Sequence, residues 1–444
     1  MVPAHAPARP RALPGATLIA FQRDPIGFLS RAAARHGDVA AFQLGPQPVV
    51  LLSNPDDIRE VLVTNSRSFV KGRALERARR LLGDGLLTSE GAHHLRQRRL
   101  AAPAFHRQRI ASYGATMARL ADEHQARWQP GATVDLANEL MRLTLRIAGE
   151  TLFGADTDGS ADEVAAAMAD LLALFRLVAL PFADAIEQLP LPSTMRFRAA
   201  RQRLDRIIYG MIAARRARPD GGDLLAMLLQ ARDIDGDGTG MTDAQVRDEA
   251  LTIFLAGHET TANALAWTFY LLSQHPEVDR QLHDELAAVL GDRAPTVADL
   301  PQLRLAEMVF AEALRLYPPA WILGRRAIAP FVAGGHTFSP GTIAMMSQWI
   351  VHHDPRYYPD PYRFDPERFT PEARAARPKF AYFPFGGGPR ICIGEQFAWM
   401  EGVLVLATIA RRWRPILLPE HPVVLQPTIT LRPRYGLRMR LMPR

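Results

Sequence analysis

Phe385-Gly-Gly-Gly-Pro-Arg-Ile-Cys-Ile-Gly394 is the stretch on which the reading of this chain turns, because Cys392 is the only cysteine in 444 residues. Glycines at 386, 387 and 388, followed by Pro389, call for a tight backbone excursion with φ > 0 or a close approach to a flat neighbour. Downstream, Ile393 to Arg412 (IGEQFAWMEGVLVLATIARR) sets Phe397, Met400, Val403, Leu404 and Ala407 at helical spacing. The sulfur therefore stands where a loop enters a helix. There the unpaired N–H groups and the positive dipole end favour a thiolate over a thiol, and Arg390 adds a nearby positive charge. Such a thiolate can be a nucleophile, a redox sensor or an axial metal ligand.

Phe385, Gly388, Arg390, Cys392 and Gly394 spell F-x-x-G-x-R-x-C-x-G, which resembles the haem-ligand loop of the cytochrome P450 family. The resemblance implies that Cys392 is the axial ligand of a haem iron, where a thiolate pushes electron density toward O–O cleavage. It also places Phe385, Gly386, Arg390 and Gly394 against the cofactor. The competing reading is a lone buried cysteine acting as a small hydrophobe. Motifs elsewhere in the chain have to decide between the two.

At 444 residues the chain exceeds the usual domain size of roughly 50–250 residues, so it is two domains or one unusually large fold. No Gly/Ser tract, acidic run or internal repeat divides it. A hydrophobic fraction of 48% and a charged fraction of 22% are those of an ordinary globular protein. One cysteine excludes an intramolecular disulfide and fits a reducing, cytoplasmic compartment. The Pro/Arg-rich segment 1–24 reads as neither signal peptide nor membrane anchor. By resemblance this is the soluble bacterial kind, with residues 25–444 forming a single haem domain and no room for a fused reductase. Net charge is +7 and the pI about 9.9, but the arginines are scattered through amphipathic segments rather than gathered in a nucleic-acid-binding stripe. A basic surface suits docking of an acidic electron carrier.

In chain order, Asp24 to His36 reads as a short helix ended by Gly37. Val39–Leu44 and Pro48–Leu52 read as a hairpin, and Pro55–Asn65 as another helix. Phe69 to Ser89 has no clean period and reads as a long functional loop, by resemblance the roof of the substrate pocket. A helix expected over Glu90–Arg109 brings His94 and Arg98 together at i, i+4, where the family binds the haem propionates. His93 and Arg99 point elsewhere and read as solvated. Segments 133–153, 161–180 and 194–217 have helical periodicity. The apolar run Leu171–Leu180 with the prolines after it resembles the family's lid.

Thr242-Asp-Ala-Gln245 is a capping box, and no proline follows until Pro276, so one long apolar helix must cross the core. Its middle, Ala256-Gly-His-Glu-Thr-Thr261, suits a helix poorly: Gly257 lowers propensity, and Thr260 can turn its hydroxyl to a carbonyl one turn earlier. The stretch matches the family's [AG]-G-x-[DE]-T. By resemblance Ala256 borders the cofactor and Glu259 and Thr260 deliver protons to bound O2. The competing reading has the two side chains satisfying each other and the backbone.

Glu312 and Arg315, at i, i+3 in Leu303–Leu316, form with Arg368 of Pro366-Glu-Arg-Phe369 what resembles the family's buried Glu-Arg-Arg network, a structural group. Arg325 matches the family's propionate-binding arginine, with Arg326 as the alternative. His352-His353-Asp354-Pro355 has zinc-like spacing without a third ligand and reads as helix-end and turn chemistry.

The expectation is thus a mainly α fold with a small β region, the cytochrome P450 fold. Its haem b (iron protoporphyrin IX) would lie between a long central helix and the Cys-ligand loop. The expected reaction is insertion of one oxygen atom from O2 into a small hydrophobic substrate such as a fatty acid, terpene or steroid. Electrons would come from an acidic ferredoxin or flavodoxin with its reductase. The alternatives are a haem-thiolate peroxygenase, an isomerase or dehydratase, and a haem sensor, and the intact Glu259-Thr260 pair argues against each. Expected pocket residues are the 69–89 loop, the 175–190 lid, Phe254, Trp321, Ile322 and Thr428 to Thr430.

Overall fold

The computed structural model describes residues 15–154, 192–217 and 222–444; the helix expected over 161–180 and the lid expected over 175–190 lie outside them. The chain divides into two compact units. One comprises residues 1–72, 307–392 and 424–434, the other 73–306, 393–423 and 435–444.

The first unit is built on a five-stranded sheet of β1 (Val39–Leu44), β2 (Gln47–Leu52), β3 (Phe69–Lys71), β4 (Leu323–Ala327) and β5 (Ile343–Met346), in the order β1-β2-β5-β4-β3. All neighbours are antiparallel except β2 and β5, paired in parallel from Val49–Ile343 to Leu52–Met346. The apolar run of β2 follows from burial on both faces. Val50 and Leu52 join one cluster with Phe69, Phe331, Phe380 and Phe383, while Val49 and Leu51 join another with Leu29, Phe42, Trp321 and Trp349. Asp24 caps the helix Pro25–His36 by accepting from Gly27 N at 2.9 Å, and Gly37, at φ 71, ends it. The helix expected over 55–65 is α-helical only to Arg59 and continues as a π turn through Thr64.

The second unit is helical. We label α1 (Gly91–Ala101), α2 (Leu136–Phe153), α3 (Leu224–Gln230), α4 (Asp243–Gln274) and, beyond α5 (Arg304–Leu316), which belongs to the first unit from Glu307 on, α6 (Glu395–Arg412). The sequence reading needs two corrections. Residues 69–89 are not one loop, because Arg73–Leu82 is a helix, its Leu75, Ala78 and Leu82 at helical spacing among the arginines. The helix expected to reach Arg109 stops at Ala101: Pro103 turns the chain into a 3-10 segment, and a new helix runs Arg107–Gln125. α4 spans 32 residues behind the predicted capping box. It packs on α2, where Thr144 Oγ1 donates to His258 O at 3.0 Å and Phe153 meets Phe254 edge to face at 5.3 Å. Phe254 therefore belongs to a helix contact. α6 packs against Arg107–Gln125 at Gly114, where a Cβ would stand 2.1 Å from Val297 and 3.4 Å from Leu404. A three-stranded sheet closes the unit, its middle strand Arg438–Pro443 antiparallel to both Thr133–Asp135 and Trp413–Leu417.

Candidate active site

In the first unit the cysteine loop is a chain of tight turns. Gly386 N donates to Phe383 O at 2.9 Å, Ile391 N to Gly388 O at 3.0 Å, and Cys392 N to Phe385 O at 3.0 Å. Gly386 and Gly388 both lie at positive φ, 74° and 69°. The close approach expected of these glycines is partly to the protein itself: a Cβ on Gly388 would sit 1.9 Å from Leu62 O, and one on Gly387 2.5 Å from the Phe380 ring. The outcome is that Cys392, three residues before α6, is presented at an exposed position.

What holds the approach to this loop is the Glu312 network. Glu312 and Arg315 are fully buried in α5 and pair in fork geometry, Nε to Oε2 at 2.6 Å and Nη2 to Oε1 at 2.7 Å. Arg315 also donates to the carbonyls of His352 at 2.8 Å, Pro361 at 2.7 Å and Arg363 at 3.1 Å, while Asp365 N donates to Glu312 at 3.0 Å. Arg368 Nε lies 3.6 Å from Glu312 Oε1. His352 Nε2 accepts from Phe383 N at 3.1 Å, so the network reaches the residue that opens the cysteine loop. Burial lowers the pKa of His352 well below the usual histidine range, so the ring is neutral and able to accept. His352 and His353 end the short helix Gln348–His352 and the Asp354 turn, as the sequence indicated.

β4 separates the two candidate arginines by face. Arg325 is buried, with Nη1 donating to Gly324 O at 3.0 Å, and Arg326 is half-buried on the other side. Nearby, Trp321 Nε1 donates to Thr428 O at 3.0 Å, joining two segments expected to line the pocket.

In the second unit α4 is buried almost throughout, but Ala256 is exposed and Leu255, Gly257 and Thr260 are half-buried. This uncovered patch interrupts a core helix at the motif. Thr260 Oγ1 donates to Ala256 O at 2.8 Å, the back-bond expected from the sequence. Glu259 is buried. His258, just before Glu259, is buried and turns back along α4, its Nδ1 donating to Phe254 O at 2.7 Å, and burial lowers its pKa.

His94 is buried on α1, with Nδ1 3.2 Å from Ser89 Oγ, and Arg98 is half-buried one turn on. His93 and Arg99, read as solvated, are half-buried and exposed respectively, and each also has a partner. His93 Nε2 lies 3.3 Å from Asp84 O, and Arg99 makes a two-pronged ion pair with Asp233, Nε at 3.0 Å and Nη2 at 2.8 Å.

One residue the sequence reading passed over is Glu401, fully buried on α6. Burial pushes its carboxyl well above the ordinary carboxylate range, with the Thr261 hydroxyl only partly offsetting this. Its signal was a carboxyl at i+4 from Phe397 and i−3 from Leu404, on the apolar face of the helix.

These residues fit an iron porphyrin on their donor chemistry. An exposed sulfur suits iron, an open patch at a small residue in a core helix suits a flat apolar group, and His94, Arg98, Arg325 and Arg390 suit two carboxylates.

A mainly helical chain presenting one cysteine from a glycine loop, with an acid-alcohol pair in the longest of its described helices, has the features of a haem-thiolate oxidoreductase. The cytochrome P450 family model matches residues 8–436, and the chain belongs to that family. The structure superposes on a crystal structure of a cytochrome P450 (CYP102L1) with a TM-score of 0.87 and 26% identity, over 100% of this chain and 99% of that one. Cyclooctatin synthase of Streptomyces melanosporofaciens is 38% identical, with 92% of this chain and 89% of that protein aligned. Cyclooctat-9-en-7-ol 5-monooxygenase of the same organism is 38% identical over 89% of this chain and 86% of that protein. Pentalenene oxygenase of Streptomyces avermitilis is 36% identical over 96% and 94%. The protein is an oxidoreductase of the monooxygenase class, and its family implies a haem cofactor. No helix among the described residues is long and apolar enough to cross a membrane.

Proposed function

We propose that the protein is a haem b monooxygenase that hydroxylates an apolar, terpene-like small molecule with electrons from a separate acidic ferredoxin or flavodoxin. The single observation that carries the reading is Cys392, exposed at the end of a loop whose turns are fixed by Phe383, Phe385 and Gly388. Haem, when bound, supplies the activation of O2. The chain's own residues do the rest. Cys392 is the sulfur ligand to iron. His94, Arg98, Arg325 and Arg390 bind the propionates, and Phe385, Gly386, Gly394 and Ala256 border the ring. Thr260 offers a hydroxyl whose proton is committed to Ala256 O, so its lone pairs accept from a water that Glu259 can resupply with protons. Relatives named for pentalenene and cyclooctat-9-en-7-ol support an olefinic, ring-type substrate. The net charge of +7 supports an acidic electron donor.

The test is the absorption spectrum of the dithionite-reduced protein under carbon monoxide. The Soret band should stand at the long wavelength of thiolate-ligated haem and be lost from Cys392→Ala, along with oxygenase turnover. A thiolate band that survives the substitution would overturn the ligand assignment.

A further inference from the structure

Between α3 and α4 lies a turn that the reaction does not use, Asp233-Ile-Asp-Gly-Asp-Gly-Thr-Gly240, whose alternating acids and Gly238 have the spacing of the first half of a calcium loop. Its backbone curls about Asp233. Asp233 N donates to Thr239 O at 3.1 Å, while Gly236 N and Gly238 N donate to Asp233 O at 3.0 and 2.9 Å. What fills the turn is a pair of guanidinium groups from α1. The Asp233 side chain, 3% exposed, receives Arg99 in the two-pronged pair described above and has Arg96 Nε at 3.6 Å. Arg96 Nη2 also donates to Thr239 Oγ1 at 2.7 Å, Thr239 O at 3.2 Å and Gly240 O at 3.0 Å.

Arg96 and Arg99 are one helical turn apart, as are His94 and Arg98. At 3.6 residues per turn the two pairs lie about 150° apart around α1. The acidic turn therefore grips the back of the helix whose front carries the propionate-binding pair. We infer that Asp233 is a positioning residue for cofactor binding: by anchoring Arg99 and Arg96 to the turn before α4, it fixes the rotation of α1 and hence the placement of His94 and Arg98. A guanidinium fork held by one carboxylate allows little rotation, whereas a neutral amide in its place keeps the shape and loses the paired charge. The inference rests on the haem-enzyme reading above, and it makes α1 a lever set from the side remote from the cofactor.

The experiment measures transfer of haem from the holoenzyme to excess apomyoglobin, at a temperature where the helix signal in circular dichroism is unchanged for every variant. Asp233→Asn should release haem about tenfold faster than wild type, as removal of an outer-shell partner does. Asp235→Asn, the same charge change at an exposed neighbour, should match wild type. In an Arg98→Gln background, Asp233→Asn should add less than about twofold, because its effect passes through Arg98. An equal effect in both backgrounds would assign Asp233 to general stability and overturn the inference. So would wild-type release from Asp233→Asn. If that variant does not accumulate as folded protein, Arg99→Lys, which keeps the charge and loses the fork, carries the same comparison. Wild-type protein that takes up no haem would defeat the underlying reading instead.

Discussion

Thr260 holds its single proton in a bond to Ala256 O, 2.8 Å away, so toward the open patch of α4 it is an acceptor. Thr260→Ala should leave haem binding and the thiolate band intact. On the proposed proton path, product formed per electron pair should fall about tenfold, with the balance appearing as hydrogen peroxide. Unchanged coupling, measured as product against reductant consumed, would remove Thr260 from the proton path. At this scale the sequence was informative about local geometry, as in the positive φ of Gly386 and Gly388 and the back-bond of Thr260 to Ala256 O. It was silent where the partner is remote in sequence: nothing near Arg99 announces Asp233, and nothing near Glu401 announces Thr261.

Among the elements, the cysteine loop tolerates little change. Gly388 combines φ of 69° with a Cβ position 1.9 Å from Leu62 O, so Gly388→Ala strains the backbone and also collides with main chain. The expected loss is about 2–3 kcal/mol or more of stability, together with a diminished thiolate band; a melting temperature like wild type would contradict it. The capping box and proline-free run made α4 legible in full, because local chemistry sets both its ends. The helix Arg73–Leu82 was missed although Leu75, Ala78 and Leu82 keep helical spacing, because it is short and Gly72, Gly83 and Gly85 around it read as a loop. The end of α1 at Ala101 was masked by a second helix that resumes after Pro103 with similar composition.

For the whole molecule, the buried histidines set a sensitivity to acid. Burial lowers the pKa of His352 well below its ordinary value, and burial likewise lowers that of His353 from 6.5 to about 4. The unfolded chain therefore binds more protons than the folded one below pH 6.5. This stabilisation is fully present above that pH and is lost as pH falls toward 4, by roughly 3 kcal/mol for His353 alone. The unfolding midpoint in urea should fall between pH 7 and pH 4.5, and His353→Gln should flatten that slope; an unaltered slope would show that the ring already titrates near 6.5. The middle strand of the second unit's small sheet, Arg438–Pro443, leaves the ribosome after both of the strands it joins. Until it arrives, Thr133–Asp135 and Trp413–Leu417 each present an open edge for stray pairing. A ribosome that stalls between codons 418 and 437 thus releases a sticky, recognisably unfinished product, and cellular quality control has a physical mark by which to find it.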